Sequence, residues 1–323
     1  MATYSTIKGF NVETIAGDPS NPVTGQVWYN STSGTLKGYG AQGTGAWAAG
    51  GLLNAMTMQM GTAGTQTAAL SFGGTGDPGL RKTNESYNGT AWTELADMLV
   101  ARQGVSGLGT QTAAMAMGGL TPSVTDLSET WNGTSWTEGN NILTARDLGG
   151  GAGTTTAGLY YGGNPNSAAT EEYDGTSWSE VNDLNNGRDG GGSGGLQSTA
   201  MYAGGHISSP TVKSEIYDGT SWSETGDLNT TGYGGAYSGD SSAGILGGRV
   251  GGTKNYGEEY NGSTWTSVAS LARGRYYCNG APQGSVTAGI CIGGQGDSAY
   301  PGTASQSVEE WAIPDATKTF TAS

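Results

Sequence analysis

One ten-residue phrase occurs five times along this chain, and that recurrence limits what it can fold into more than any other feature. It reads ESYNGTAWTE from residue 85, ETWNGTSWTE from 129, EEYDGTSWSE from 171, EIYDGTSWSE from 215 and EEYNGSTWTS from 258. A second marker, a glycine pair, keeps the same beat at Gly73-Gly74, Gly118-Gly119, Gly162-Gly163, Gly204-Gly205, Gly247-Gly248 and Gly293-Gly294, with spacings of 45, 44, 42, 43 and 46 residues. Self-similarity at such a period is the mark of a repeat architecture in which each unit needs its neighbours to bury its apolar face. Six repeats of about 44 residues follow.

Each repeat carries the same parts. In residues 100–138 these are a glycine-rich run (VARQGVSGLG), a small apolar strand ending in the glycine pair (TQTAAMAMGG), a strand ending Glu-x-aromatic (LSETW) and a strand with tryptophan (SWTE). Four short strands joined by tight turns predict one four-stranded antiparallel sheet per repeat. Tyr87, Trp131, Tyr173, Tyr217 and Tyr260 each precede a tryptophan by five residues, at Trp92, Trp136, Trp178, Trp222 and Trp265. The Asn-Gly or Asp-Gly between them supplies the positive φ a hairpin turn needs. The phrase therefore encodes a hairpin that sets two aromatics for packing between neighbouring sheets.

A glutamate stands two residues before the third-strand aromatic in every repeat, at Glu85, Glu129, Glu171, Glu215, Glu258 and Glu309. At period two it shares a strand face with that aromatic. Arg102, Arg146 and Arg188 lie 16 residues before a glycine pair, and Arg273 or Arg275 matches loosely in the sixth repeat. Repetition of this kind suits architecture, whereas an active site is usually singular; these positions are read as a structural ring of ion pairs.

The last repeat runs out after Trp311, whereas GAWAAGGL at residues 45–52 supplies a strand with Trp47 in the tryptophan position. An early strand completing the last sheet would close the ring and remove its open edges. With AMAMGG, SETW and SWTE in place, the repeat resembles the kelch family of β-propellers. The expected fold is all-β: a six-bladed kelch-like β-propeller over residues 36–313, with four-stranded antiparallel blades and the last blade closed by an N-terminal strand. It departs from kelch in its glycine-rich inner strands and its short, uniform turn, which is faintly similar to the Asp-box turn of sialidases. Upstream, GDPSNPVTGQVWYNSTSGTLKGYG at residues 17–40 resembles a segment of tailed-bacteriophage structural proteins, often found before tail-fibre or appendage repeats. That resemblance implies a virion protein with residues 1–35 as a docking or contact arm, residues 314–323 being a tail.

Bulk composition narrows the chemistry. Of 323 residues, 61 are glycine and only 12% are charged, a turn-rich β profile. A net charge of −14 opposes general binding to nucleic acid or anionic membrane. No run of roughly 20 apolar residues predicts a membrane helix. The first twenty residues lack the charged region and apolar core of a secretory signal; synthesis in a host cytoplasm and delivery in a virion are expected. Cys278 and Cys291 flank a turn at APQG, and disulfide or two buried thiols both remain open.

A copper radical oxidase, which shares the kelch propeller, needs two histidines, and this chain has His206 alone; no metal or cofactor is expected. A sialidase-like enzyme would need free arginines converging near the axis, and Arg102, Arg146, Arg188 and Arg273 recur with glutamates available to pair them. The reading is a non-enzymatic virion structural protein, with a secreted carbohydrate-active enzyme or a protein-binding kelch adaptor as alternatives. The loops joining second and third strands differ in every repeat, and varied loops on a rigid scaffold form binding faces. They nominate Asp77, Arg81, His206, Arg249, Tyr256, Asp297 and Tyr300 as contacts for a host surface glycan or a neighbouring virion protein. The other expected partners are virion proteins through residues 1–35, with homo-oligomerisation left open.

Overall fold

The computed structural model describes residues 12–41, 43–250, 254–296 and 304–320. Among these, the regular elements are all strands, arranged mostly in four-stranded antiparallel sheets of a propeller-like all-β architecture. The chain forms two compact units, Ala46–Trp311 and a second made of Met1–Gly45 with Ala312–Ser323.

The smaller unit is a four-stranded sheet in the order Glu13–Ile15, Val27–Asn30, Thr35–Ala41, Asp315–Phe320, with the first pair parallel and the rest antiparallel. Asp18 organises it, accepting from Trp28 Nε1 (3.2 Å), Asn30 Nδ2 (2.7 Å) and Lys37 Nζ (2.7 Å). The ammonium of Lys37, followed by the Asn30 amide, holds the Asp18 carboxyl below the usual carboxylate range. The strand Thr35–Ala41, expected inside the repeats, and residues 315–320, expected as a tail, are thus partners in one sheet. Alternation explains this: Leu36 and Gly38 are the buried positions of the strand, opposite Tyr29 and Val27 on one side, with Phe320 paired to Leu36 and lying over Gly38 on the other, so this strand has packing partners of its own.

The larger unit holds the repeats. Five sheets run 61–94, 106–138, 150–181, 192–224 and 236–268, each with strands in sequence order. A sixth joins Ala288–Ile292, Val308–Ala312 and Ala46–Ala49 in that order, so the early strand pairs at the edge of the last sheet. The first strands neighbour one another in sequence from Gly61–Thr65 to Ala236–Gly239, and Ala288–Ile292 neighbours both of those two.

Each fourth-strand tryptophan packs back onto the preceding sheet. Trp136 meets Phe72 edge-on at 4.9 Å, Trp222 meets Tyr161 at 4.7 Å, and Trp47 clusters with Ala236 and Leu271 of the fifth repeat. Within a sheet, the third-strand aromatic and the tryptophan lie at 4.9–5.6 Å, from Tyr87–Trp92 to Trp47–Trp311. Trp92, Trp136, Trp178, Trp222 and Trp265 are buried, and each such burial contributes roughly 2–3 kcal/mol. The turns between them are four-residue loops in which only the glycine takes positive φ, as at Gly133 (φ 91). The preceding Asx side chain caps them: Asp174 Oδ1 accepts from the N–H groups of Thr176 and Ser177 at 2.7 and 2.8 Å.

The glycine-rich inner strands have a steric cause. A Cβ at Gly107 would lie 2.2 Å from Thr62 O, and one at Gly151 would lie 2.3 Å from Gly107 O. First strands of adjacent sheets therefore approach backbone to backbone, which no larger residue permits.

The six glutamates do one job. Each carboxylate accepts the backbone N–H of the connection leading into its own sheet: Asn54 for Glu85, Leu99 for Glu129, Leu143 for Glu171, Asn185 for Glu215, Asn229 for Glu258 and Ala272 for Glu309. Five also hold an arginine, in the pairs Arg102–Glu129, Arg146–Glu171, Arg188–Glu215, Arg249–Glu258 and Arg275–Glu309. Arg102, Arg146, Arg188 and Arg249 lie at most 1% exposed.

Two of these pairings differ from the sequence expectation. Arg275, not the exposed Arg273, serves the sixth repeat. In the fifth, Gly232 stands where other repeats carry arginine, and Arg249 fills the space from the far side: a Cβ at Gly232 would lie 2.5 Å from its Cδ. Arg249 is therefore a buried partner of Glu258 and not a surface contact. In the first repeat the position is Thr57, and of side chains Glu85 keeps only the Asn54 amide at 2.9 Å, a bond that Glu215 and Glu258 receive from Asn185 and Asn229 in addition to their arginines.

Candidate functional site

At the start of each inner strand one residue takes the left-handed conformation: Gln59, Gly104, Leu148, Gly190, Gly234 and Tyr277, with φ between 52° and 70°. Their backbones are chained. Gly104 N–H donates to Gln59 O, Leu148 to Gly104, Gly190 to Leu148, Gly234 to Gly190 and Gln59 to Tyr277, at 2.6–3.0 Å. All six line the rim of a cavity of ≈ 50 Å³. Its far end is crossed by Pro282 and Gln283, whose backbone and side chain bond Gly195, Gly64 and Gly153. Such a volume holds water but no sugar ring, so any larger ligand must rest on the mouth.

The mouth is divided into sectors by the residue that precedes each rim position and by the one bridging it after the glycine pair. In the third and fourth repeats these are Asp147 with Asn164 and Asp189 with His206. The fifth and sixth contribute aromatics, Tyr233 and Tyr276, beside rim residue Tyr277. The rings form a continuous arc: His206–Tyr233 at 5.5 Å, Tyr233–Tyr277 at 5.7 Å and Tyr277–Tyr276 at 5.0 Å. Lys254 Nζ covers the outer end, 5.0 Å from the Tyr276 ring. The first and second repeats place Met58 and Gln103 at the equivalent positions, opposite Thr75 and Leu120.

Three rim residues in the left-handed region are not glycine. An L side chain there costs roughly 1–2 kcal/mol, and glycine, used by the other three repeats, would avoid it. The Tyr277 ring is held in the arc at that cost.

The acidic sector is electrostatically exposed to itself. Asp147 is 7% exposed; its Oδ1 accepts from Asn164 Nδ2 at 3.0 Å. Burial holds its carboxyl above the usual range, and burial does the same for Asp189, where His206 pulls downward and the charge of Asp147 pushes up. Burial, then Tyr233, then Asp189 raise the Tyr277 phenol. Acid and arc therefore sense each other across the mouth.

Of the residues nominated from sequence, His206 belongs to this arc. Asp77 and Arg81 sit together in a small hairpin, Arg81 Nη2 donating to Asp77 O at 2.7 Å. Tyr256 is half-buried beneath the Arg249 guanidinium, 5.5 Å from its ring centre. Asp297 and Tyr300 lie outside the described residues. Asp147, Asp189, Tyr233, Tyr276 and Tyr277 were missed because they stand in the connections between repeats. Their signal was in the sequence: the residue after the repeated arginine changes from Gln103 to Asp147, Asp189 and Tyr276 while the arginine stays. Cys278 and Cys291 are free, buried thiols. Among the described residues, no three acidic, histidine or cysteine side chains group as a metal site.

A scan against protein-family models finds no match, and a search of curated proteins finds no similar sequence. The kelch and phage resemblances rest on the motifs themselves.

Proposed function

We propose that the larger unit is a closed six-bladed, kelch-like β-propeller whose mouth binds a saccharide, and that the chain serves as a non-enzymatic structural subunit of a phage particle. The observation that carries the binding reading is the arc His206–Tyr233–Tyr277–Tyr276 lying beside Asp147, Asn164 and Asp189. Aromatic faces flanked by a few fixed polar groups are what a sugar requires, apolar C–H faces to stack and hydroxyls to hydrogen-bond. The neighbouring first strands and the pairing of Ala46–Ala49 with the last sheet support closure. Of the arginines a sialidase-like enzyme would direct at a substrate carboxylate, Arg102, Arg146 and Arg188 are each engaged by a glutamate and only the exposed Arg273 is not, which favours binding over turnover. The particle role draws on the segment 17–40, with the smaller unit as the docking element.

Two measurements test this. A glycan array on the full chain is expected to give saturable binding that Tyr233→Ala abolishes, without release of product; turnover would instead favour the enzyme. Immunogold labelling of the native source is expected to decorate virions at regular positions, and label confined to soluble material would remove the particle role.

A further inference from the structure

The mouth is not neutral, and its charge is placed. Arg146 and Arg188, which precede the two aspartates in the chain, are consumed beneath them by Glu171 and Glu215. Asp147 and Asp189 are left without an ion-pair partner among the described residues. The nearest cationic side chain on the arc, Lys254, lies at its opposite end over Tyr276. Asp147 adds a second observation: it is nine-tenths buried, and the one side chain that bonds it, Asn164, reaches its Oδ1. Its Oδ2 is turned toward the rim, 3.1 Å from where a Cβ on Gly104 would stand. Oδ2 is not one of the sealed, unpartnered polar atoms of the interior, so it is placed to accept from a donor that arrives at the rim.

We infer that the saccharide recognised at the mouth carries a protonated amine, seated between Asp147 and Asp189 and against the His206 and Tyr233 rings. This rests on the reading of the mouth as a saccharide platform and names the class. An ammonium satisfies both halves of the sector: it donates to carboxylates in charge-assisted bonds, and it is attracted to the faces of aromatic rings. A carboxylated sugar would meet two like charges instead. Lys254 at the other end repels the amine from Tyr276 and fixes the ligand's direction along the arc. The chain's net charge of −14 favours approach of a cation.

The test is calorimetric titration of the full chain with chitotriose in its fully deacetylated form and in its N-acetylated form, below the pKa of the sugar amine. The deacetylated trisaccharide is expected to bind at least roughly tenfold more tightly, with an affinity that falls as salt rises. The double variant Asp147→Asn/Asp189→Asn is expected to bring it down to the level of the acetylated sugar, while unfolding as cooperatively as the parent. Equal affinity for both sugars, lost together in Tyr233→Ala, would overturn amine recognition and leave the saccharide platform standing. No binding of either sugar, and none on a glycan array, would overturn both.

Discussion

The interior of the repeat unit and its mouth are built from the same chain positions, one residue apart, and obey opposite rules. At the interior position Arg102, Arg146, Arg188 and Arg275 each face a glutamate, and where the fifth repeat has glycine an arginine from elsewhere is recruited to restore the pair. At the next position outward the chain reads Gln103, Asp147, Asp189 and Tyr276. What is restored when lost belongs to the scaffold; what changes freely on that scaffold is where a ligand can be told from its relatives. The mouth also tolerates costs that the interior does not, as left-handed Leu148 and Tyr277 show.

The comparison is sharpened by breaking the interior first. Glu129→Gln leaves Arg102, which is fully buried, without its counter-charge, and is expected to lower stability by about 3–5 kcal/mol in denaturant titration. Glu85→Gln removes the same carboxylate from the one repeat that lacks an arginine. With the Asn54 bonds weakened but no cation orphaned, the loss is expected to be only about 1–3 kcal/mol. Equal losses in the two variants would mean that the arginines contribute nothing beyond the capping of the connections.

How much of this was legible follows the same line. The hairpins, the glutamate ladder and the early strand carrying Trp47 were legible because one physical demand, burying an aromatic pair and capping a connection, is met six times with the same residues. Arg249 was misread as a surface contact because its partner is set by the empty space above Gly232, a three-dimensional fact. The strand Thr35–Ala41 was assigned to the repeats because its pairing with Asp315–Phe320 spans almost the whole chain, and local pattern does not register such distant partners. The mouth was only half legible: His206 was found in a variable loop, but its aromatic neighbours come from connections that look like punctuation.

At the mouth the effects on stability shrink and change sign. Burial raises the Asp147 carboxyl pKa, so the folded state disfavours its charged form. Below the ordinary carboxylate range both folded and unfolded chains hold the proton and the cost vanishes; it builds as pH rises from that range to the raised pKa and is constant above it. Asp147→Asn is therefore expected to stabilise the protein modestly at neutral pH, an advantage that thermal melts should show fading as pH falls from the folded-state pKa to the ordinary carboxylate range. Tyr277→Gly removes a ring and relieves a strained backbone; its melting temperature is expected to stay within a few degrees of the parent, a difference of about 1 kcal/mol, while saccharide binding is lost.

Hydrogen exchange with and without bound saccharide tests the division of labour most directly. Slowed exchange confined to the inner-strand starts, around residues 147–149, 189–191, 206, 233–234 and 276–277, with the Asn-Gly and Asp-Gly turns unchanged, is the result predicted. Protection centred on those turns, or on the Glu85–Glu309 ladder alone, would contradict the account and move the binding face to the other side of the scaffold.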